Sequence, residues 1–182
     1  IFILLAFFCV AIILLTYLII YVPKFDYIQG RILSFFDRET GTHNFQSDKA
    51  IDSITSGGFF GKGIGEGILK NRVPEAHTDY IISVISEEFG VVAIMLILLL
   101  FLIFIYMVFK KISFETDDKI KLILVGSISL ILMQVTIHIG VNIRLFPTTG
   151  MTLPFLSYGG SSIISTSILS GIILNLTKRK IN

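Results

Sequence analysis

The chain has 182 residues, of which 53% are hydrophobic and 15% are charged, and its formal net charge is +2. Soluble domains carry about 25% charged residues, so this composition excludes an ordinary soluble domain and predicts a protein of the lipid bilayer. A spanning helix needs about 20 mainly apolar residues. Four stretches qualify, and they are residues 1–22, 80–109, 122–146 and 153–176. We therefore predict an all-α polytopic membrane protein with about four transmembrane helices.

Basic residues gather after the second and fourth of these stretches, in residues 110–121 and 177–182. Lysine and arginine accumulate in cytoplasmic loops of membrane proteins, so we expect both segments in the cytoplasm. The long segment 23–79 and the short link 147–152 then face the outside. We expect a single membrane domain. Because the chain begins at Ile1, already inside an apolar stretch, we expect a fragment whose upstream helices are missing.

The outer loop of about 56 residues is longer than a structureless connection in a compact domain usually is. It contains enough apolar side chains to fold on itself or onto the membrane surface. Residues 26–37 predict a short interfacial helix with its apolar side chains on one side. Residues 47–58 predict a second helix, capped by Ser47 or Asp48 and ended by glycines.

A glycine-rich stretch, GGFFGKGIGEG, covers residues 57–67. A nucleotide-binding phosphate loop requires Ser or Thr directly after its Gly-Lys pair, whereas Gly63 follows Lys62 here, so we expect no nucleotide site. Two interpretations stay open. The glycines form a hinge or allow close backbone approach, or their amides hold a phosphate together with Lys62, Lys70 and Arg72.

The segment VPEAHTDYIISVISEEFG, residues 73–90, places acidic groups at the start of the second helix. Thr78 or Asp79 fits an N-cap, where a short oxygen-bearing side chain accepts from the first free amides. The helix dipole also keeps a carboxylate ionised there, so Asp79 is equally a candidate to accept a proton. Glu87 and Glu88 lie about two turns into a membrane helix, where ionisable groups face a cavity or a partner. At least one of them is expected to point inward.

The third helix carries Gln134, His138 and Asn142 at intervals of four residues, which places them on one face. Such a polar stripe either joins helices or forms one wall of a hydrated pathway. His138 has no second ligand at helical spacing, so we expect no metal site. Residues 147–162, PTTGMTLPFLSYGGSS, predict a bent entrance to the last helix, which a bilayer tolerates where it is buried in protein or lines water.

The two segments PEAHTDYIISVISEEFG and PTTGMTLPFLSYGGSS occur in this order, separated by one helical hairpin. They resemble the signature segments of the shape, elongation, division and sporulation (SEDS) family, polytopic membrane partners of penicillin-binding proteins. The GKGIGEG stretch also matches the family arrangement. The similarity covers essentially the whole chain, as the C-terminal part of a fold of roughly ten helices. At Ala76 and in the motif TGMTLPF, the sequence resembles the division members of the family more closely than the elongation members.

This resemblance implies a peptidoglycan glycosyltransferase that polymerises lipid II at the outer face of the cytoplasmic membrane. Asp79 matches the essential loop aspartate of the family, which makes it the expected catalytic base. Residues 75, 77 and 79 share one side if their segment is extended. The leaving undecaprenyl pyrophosphate needs cations or amide donors. The candidate substrate-binding residues are the cations Lys62, Lys70, Arg72 and Arg144, together with Glu75, His77, Glu88, Ser157 and Ser161.

The resemblance also implies partners and a location. The expected partners are lipid II, a class B penicillin-binding protein that acts as the transpeptidase, and other division or elongation proteins. We expect no nucleic-acid partner and no metal held by the protein alone. No cofactor is certain, and a divalent cation stays open as a counter-ion of the pyrophosphate. The expected location is the bacterial cytoplasmic (inner) membrane at the division septum.

Two other classes of function stay open from the sequence. The first is a transporter or flippase of the lipid-linked cell-wall precursor, which polar groups in helices and a broken helix entrance also fit. A transporter concentrates its critical polar groups near the bilayer midplane, whereas Glu75, His77 and Asp79 are expected at the outer boundary. The second is a non-catalytic scaffold of the division machinery, since an intact motif does not prove turnover.

Overall fold

The computed structural model describes residues 2–22, 26, 30, 33, 35, 42–73 and 75–178 of the chain. Over these residues the secondary structure is entirely helical, which confirms the predicted all-α fold. The helices are α1 (Phe2–Tyr21), α2 (Thr42–Gly57), α3 (Leu69–Arg72), α4 (Ile81–Phe114), α5 (Asp118–Asn142) and α6 (Gly160–Thr177). Within the described residues, α4, α5 and α6 are long and apolar enough to cross a membrane.

The chain divides into two compact units, Ile1–Phe45 and Gln46–Asn182. In the first unit, α1 is an apolar helix of 20 residues, and a helix of that size is about 30 Å long, which is the thickness of the hydrocarbon core. Tyr17 and Tyr21 lie near its C-terminal end with their ring centroids 4.7 Å apart. Tyrosines at a helix end are typical of a membrane–water interface, so this end fits the predicted outer boundary.

In the second unit, α5 packs against both α4 and α6. Buried apolar side chains from all three helices and from the segment before α6 form the core. Most other apolar side chains of α4 are exposed, as expected for a helix that is hydrophobic all round and faces lipid. The buried residues of this cluster are Ile82, Val108, Leu124, Ile128, Ile131, Val135, Leu153 and Ile173. A second buried cluster consists of Ala50, Leu69, Val73, Ala76, Tyr80, Val84 and Val141.

Helix α4 is broken nine residues after its start, at Gly90, where the backbone adopts φ 79° and ψ 179°. The break leaves carbonyl groups on one side and amide groups on the other without helical partners. The glycine-rich loop supplies those partners, as needed in a bilayer, where backbone amide and carbonyl groups must be hydrogen-bonded within the protein. Four hydrogen bonds join them: Val91 N to Gly58 O (3.0 Å), Val92 N to Phe59 O (3.4 Å), Lys62 N to Glu87 O (2.9 Å) and Gly63 N to Glu88 O (3.1 Å).

Glycine is required at this junction because the two backbones touch. A Cβ atom on Gly57 or Gly61 would overlap the carbonyl groups of α4, and one on Gly90 would overlap the carbonyl oxygen of Phe59. Gly61 and Gly90 also have φ near +78° and +79°, where other residues are strained. Of the interpretations of the glycine-rich stretch, the structure therefore supports close backbone approach.

The last helix begins at Gly160, seven residues after the predicted start at residue 153. Residues 153–159 are non-helical, and Phe155 has a φ of 66°. The bent entrance itself was predicted from residues 147–162, because their prolines, glycines and hydroxyl groups favour it. Because 153–159 is not helical, its backbone groups are available to other segments, as the candidate site shows.

Helix α2 begins at Thr42, five residues before the predicted start, so the predicted cap at Ser47 or Asp48 is wrong. Both residues lie inside the helix and make tertiary contacts instead. The hydroxyl of Ser47 lies 3.4 Å from the hydroxyl of Tyr80, and Asp48 forms an ion pair with Arg144. The interfacial helix predicted over residues 26–37 falls almost wholly outside the described residues and stays a prediction.

Candidate active site

Asp79 lies at the end of a hydrogen-bonded turn, residues 75–80, directly before α4. The amides of Thr78 and Asp79 donate to the carbonyl of Glu75 at 3.1 and 3.0 Å, and the Thr78 hydroxyl donates to the same oxygen at 3.1 Å. The segment is therefore not extended, and the condition under which residues 75, 77 and 79 share one side is not met. We call residues 75–80 the Asp79 turn.

Three consecutive carbonyl groups of the Asp79 turn accept hydrogen bonds from elsewhere in the chain. The carbonyl of His77 accepts from the amide of Tyr158 at 3.0 Å, and that of Thr78 accepts from the Ser157 hydroxyl at 2.7 Å. The carbonyl of Asp79 accepts from the Asn142 side-chain amide at 2.9 Å. The backbone that carries the Asp79 carboxylate is thus fixed by the end of α5 and by the bent segment before α6.

Asn142 also caps α4 from a distance of 59 residues along the chain. The N-cap position is Tyr80, and its side chain makes no capping hydrogen bond, so the predicted cap at Thr78 or Asp79 is misplaced. Instead the amide and the hydroxyl of Ser83 donate to Asn142 Oδ1 at 3.2 and 2.7 Å. The first-turn amide that a local cap usually satisfies is satisfied by a neighbouring helix.

The polar stripe of α5 holds the bent segment as well as the Asp79 turn. Gln134 donates to the carbonyl of Thr152 at 3.0 Å. His138 is fully buried, and its Nδ1 lies 2.8 Å from the carbonyl of Met151, so Nδ1 carries the proton because a carbonyl only accepts. With Asn142 on Asp79, all three stripe residues join α5 to neighbouring segments, as the interhelical interpretation predicts.

A cavity of about 310 Å³ opens at the segment that precedes α6. Gly150, with φ +69°, forms part of its wall, and a Cβ atom at that position would lie 3.9 Å from Asp79 Oδ2. The Asp79 carboxylate therefore lies next to Gly150, one wall residue of a cavity that serine and threonine residues also line. The lining residues are Gln134, Gly150, Met151, Thr152, Ser161, Ser162 and Ser165.

The two serines named from the sequence have different positions. Ser161 is exposed and lines this cavity. Ser157 is buried, and its hydroxyl accepts from the amide of Leu153 at 2.8 Å while donating to Thr78. Since both hydrogen-bonding directions of Ser157 are used within the protein, it positions the Asp79 turn.

Of the two helix glutamates, Glu87 is the one that points inward. It is 2% exposed, and its carboxylate accepts from Lys62 Nζ at 2.9 Å and from the amides of Ile68 and Leu69 at 3.1 and 3.0 Å. Glu88, a candidate substrate-binding residue, is only partly buried and lies beside the glycine-rich loop. Glu87 thus fixes the loop that leads to the Asp79 turn.

The candidate cations separate into two places. Lys62 and Arg72 line a second polar cavity of about 170 Å³, together with Lys49 and Glu87, and Lys62 is already paired with Glu87. Arg144 has a φ of 60° and pairs with Asp48 of α2. The other guanidinium nitrogen of Arg144, Nη2, is buried and has no hydrogen-bond partner among the described residues. The side chain of Lys70 falls outside the described part.

The remaining candidates, Glu75 and His77, are exposed on the Asp79 turn. Glu75 accepts from the side-chain amide of Gln46 in α2 at 3.1 Å. Within the described residues there is no group of three or more His, Cys, Asp or Glu side chains placed to hold a metal ion. Neither Asn142 nor Gly150 was predicted from the sequence as a site residue, although the spacing of the polar stripe indicated that Asn142 contacts a neighbouring segment.

Comparison with known proteins shows where this architecture occurs. The family model FtsW/RodA/SpoVE, described as "cell cycle protein", matches residues 2–182. A Caulobacter vibrioides protein named probable peptidoglycan glycosyltransferase FtsW is 36% identical over 158 residues, covering 86% of this chain and 40% of the relative. A Francisella salina protein of the same name is 40% identical over 171 residues, covering 90% and 42%.

The fold is also similar to a solved structure. One chain from the work described as "structural coordination of polymerization and crosslinking by a peptidoglycan synthase complex" aligns with a TM-score of 0.73 and 26% identity, covering 99% of this chain and 50% of that chain. The present chain spans about two fifths of the two relatives above. The family match extends over nearly every residue, so the chain belongs to the FtsW/RodA/SpoVE family, the SEDS family of cell cycle proteins.

Proposed function

We propose that the full-length protein is a peptidoglycan glycosyltransferase that polymerises lipid II into glycan strands at the outer face of the cytoplasmic membrane. Asp79 is its catalytic base. The observation that carries this proposal is the anchoring of the Asp79 turn, whose three carbonyl groups are held by Asn142, Ser157 and Tyr158. Such anchoring fixes the position of a carboxylate that lies next to Gly150, a wall residue of the open cavity. The names of the relatives support the same activity.

The chemistry is a displacement at the anomeric carbon of one muramyl sugar. The 4-hydroxyl of the next lipid II forms the new C–O bond, the bond to the undecaprenyl pyrophosphate breaks, and the hydroxyl proton passes to the Asp79 carboxylate. A positioned base contributes about 10² to 10⁴-fold to such a rate. The hydroxyl-lined cavity next to Asp79 is the natural place for the attacking sugar, because hydroxyl and amide groups bind sugars in a fixed orientation.

The leaving pyrophosphate requires positive charge close to the reacting bond. Among the candidate cations we favour Arg144. It lies two residues after Asn142, which contacts the Asp79 backbone, and its buried Nη2 has no partner among the described residues. Both cations are ion-paired, but Glu87, the partner of Lys62, is almost fully buried, whereas Asp48, the partner of Arg144, is half exposed. Lys62 is less suited because its pair with Glu87 is buried within the protein. Lys70 and Arg72 stay as further candidates for the same role.

The partners and the location belong to the same proposal. We place the protein in the bacterial cytoplasmic membrane at the division septum, where it works with a class B penicillin-binding protein that crosslinks the new strands. The three apolar helices support the membrane location. The similar chain comes from a complex described as a peptidoglycan synthase, which supports a partner that crosslinks.

The test is lipid II polymerisation by the full-length protein with its transpeptidase partner, comparing wild type with Asp79→Asn. Asparagine keeps the size of the side chain but cannot accept the proton, so we expect the rate to fall by about 10² to 10⁴-fold while folding and partner binding persist. Asp118→Asn is the matched control, because Asp118 is an exposed aspartate at the other end of the hairpin, and it should leave the rate unchanged. Unchanged polymerisation by Asp79→Asn would contradict the proposal and favour the transporter or the scaffold.

A further inference from the structure

The glycine-rich loop has a defined depth relative to the membrane, because it is joined to α4. Lys110 is exposed near the C-terminal end of α4, which the distribution of basic residues predicts to be cytoplasmic, and Gly90 precedes it by 20 residues in the same helix. Twenty helical residues extend about 30 Å, which equals the thickness of the hydrocarbon core. With Lys110 at the cytoplasmic boundary, the break at Gly90 lies at the outer boundary of the hydrocarbon.

The loop cannot move far from that boundary. Residues 58–63 make four backbone hydrogen bonds across the break in α4, and Gly57 and Gly61 touch the α4 backbone too closely for any side chain to fit. The charge of Lys62 is directed inward to Glu87 at 2.9 Å. The loop therefore meets the boundary with the backbone groups that face α4 paired and with its lysine paired, which lowers the cost of contact with lipid.

The side chains that the loop directs outward are large and apolar. Phe59, Phe60 and Ile64 are 76%, 85% and 81% exposed. They adjoin the exposed apolar surface of α4, since Phe59 is bonded through its backbone to Val92, which is itself half exposed. Exposed apolar patches of this kind mark contact with a partner or a membrane, and here the surface is continuous with a helix that crosses the bilayer.

We propose that residues 58–64 form an interfacial membrane anchor, in which Phe59, Phe60 and Ile64 insert among the acyl chains of the outer leaflet. Apolar groups of interfacial segments insert about 5–10 Å at the headgroup–acyl boundary. The anchor holds the segment that carries Lys62 and leads through α3 to the Asp79 turn at a fixed height above the bilayer. This inference does not depend on the proposed catalytic reaction.

Nitroxide labelling of the full-length protein in phospholipid vesicles tests the depth. Native cysteines such as Cys9 are replaced by Ala, and single cysteines are placed by Phe60→Cys, Ile64→Cys, Leu99→Cys and Asp118→Cys. Leu99 is an exposed apolar residue of α4 and reports lipid, whereas Asp118 is exposed at the cytoplasmic end of α5 and reports water. Collisions with oxygen and with a water-soluble nickel chelate are measured for each label.

For the labels at residues 60 and 64 we expect frequent collisions with oxygen and few with the chelate, giving a depth of about 5–10 Å below the phosphates. Because the replaced side chains are exposed, each variant should fold, and thermal unfolding in detergent, compared with the cysteine-free parent protein, checks this. Chelate collisions as frequent as at residue 118 would place the loop in water and overturn the proposal. Protection from both reagents would overturn it too, because the loop would then be covered by protein.

Discussion

Asn142→Ala tests whether the Asp79 turn is held by α5. The substitution removes four hydrogen bonds, to Asp79 O and His138 O and from the amide and hydroxyl of Ser83. The Ser83 amide is buried, and a buried donor without a partner costs about 1–3 kcal/mol. The Asp79 carbonyl is partly buried, so water replaces its donor in part. We expect a total loss of about 2–4 kcal/mol, which a protein of ordinary stability survives at low temperature.

The effect of Asn142→Ala on polymerisation should exceed its effect on folding. One of the three carbonyl anchors of the Asp79 turn is lost, and the carboxylate shifts relative to the bound sugar. A misplacement of about 1 Å costs as much as 10²-fold in rate. We therefore expect lipid II polymerisation to fall by about 10 to 100-fold in a protein that still purifies as a folded, partner-bound complex.

Two matched variants separate the anchor from other effects. Ser83→Ala removes one hydroxyl bond to Asn142 Oδ1 but leaves Asn142 on Asp79, so it should cost about 0.5–1.5 kcal/mol and leave the rate close to wild type. Asn175→Ala removes an exposed asparagine of α6 and should change neither quantity. Thermal unfolding in detergent and lipid II polymerisation are measured on all variants. If Asn142→Ala matches Asn175→Ala in both, the anchoring argument is refuted.

Two further predictions concern the break in α4 and the ion pair between Arg144 and Asp48. Gly90→Ala places a Cβ atom against the carbonyl of Phe59 at a φ of +79°, so we expect loss of folded protein. Gly126→Ala is the control and should be neutral, because this helical glycine has open space around it. Equal yields of the two variants on size exclusion would contradict the role of the break. Arg144→Ala should lower polymerisation by about 10²-fold if its guanidinium supports the leaving pyrophosphate. Asp48→Ala breaks the same ion pair but keeps the arginine, so an equal loss in Asp48→Ala would show that only the ion pair matters.

The sequence by itself determined the class of protein, three of its spanning helices and the two motifs of its family. These features are local, because each depends on composition and periodicity within one segment. The spacing of Gln134, His138 and Asn142 likewise placed them on one face, since helical geometry alone decides which residues share a face. The bent entrance before α6 was also local, because prolines and glycines disfavour the interior of a helix.

Only the tertiary structure decided which groups these residues contact. Thr78 and Asp79 fit the pattern of a cap, yet α4 is capped by Asn142, because the Ser83 amide of its first turn donates to the side chain of this packed neighbour. Glu87 and Glu88 are equivalent in the sequence, and only the path of the glycine-rich loop makes Glu87 the buried one. The sequence suggested that Ser157 binds substrate, whereas in the structure its hydroxyl donates a hydrogen bond to the carbonyl of Thr78, 79 residues earlier. A short segment fixes its own backbone preference, but the partner of each polar group depends on which distant segment packs against it.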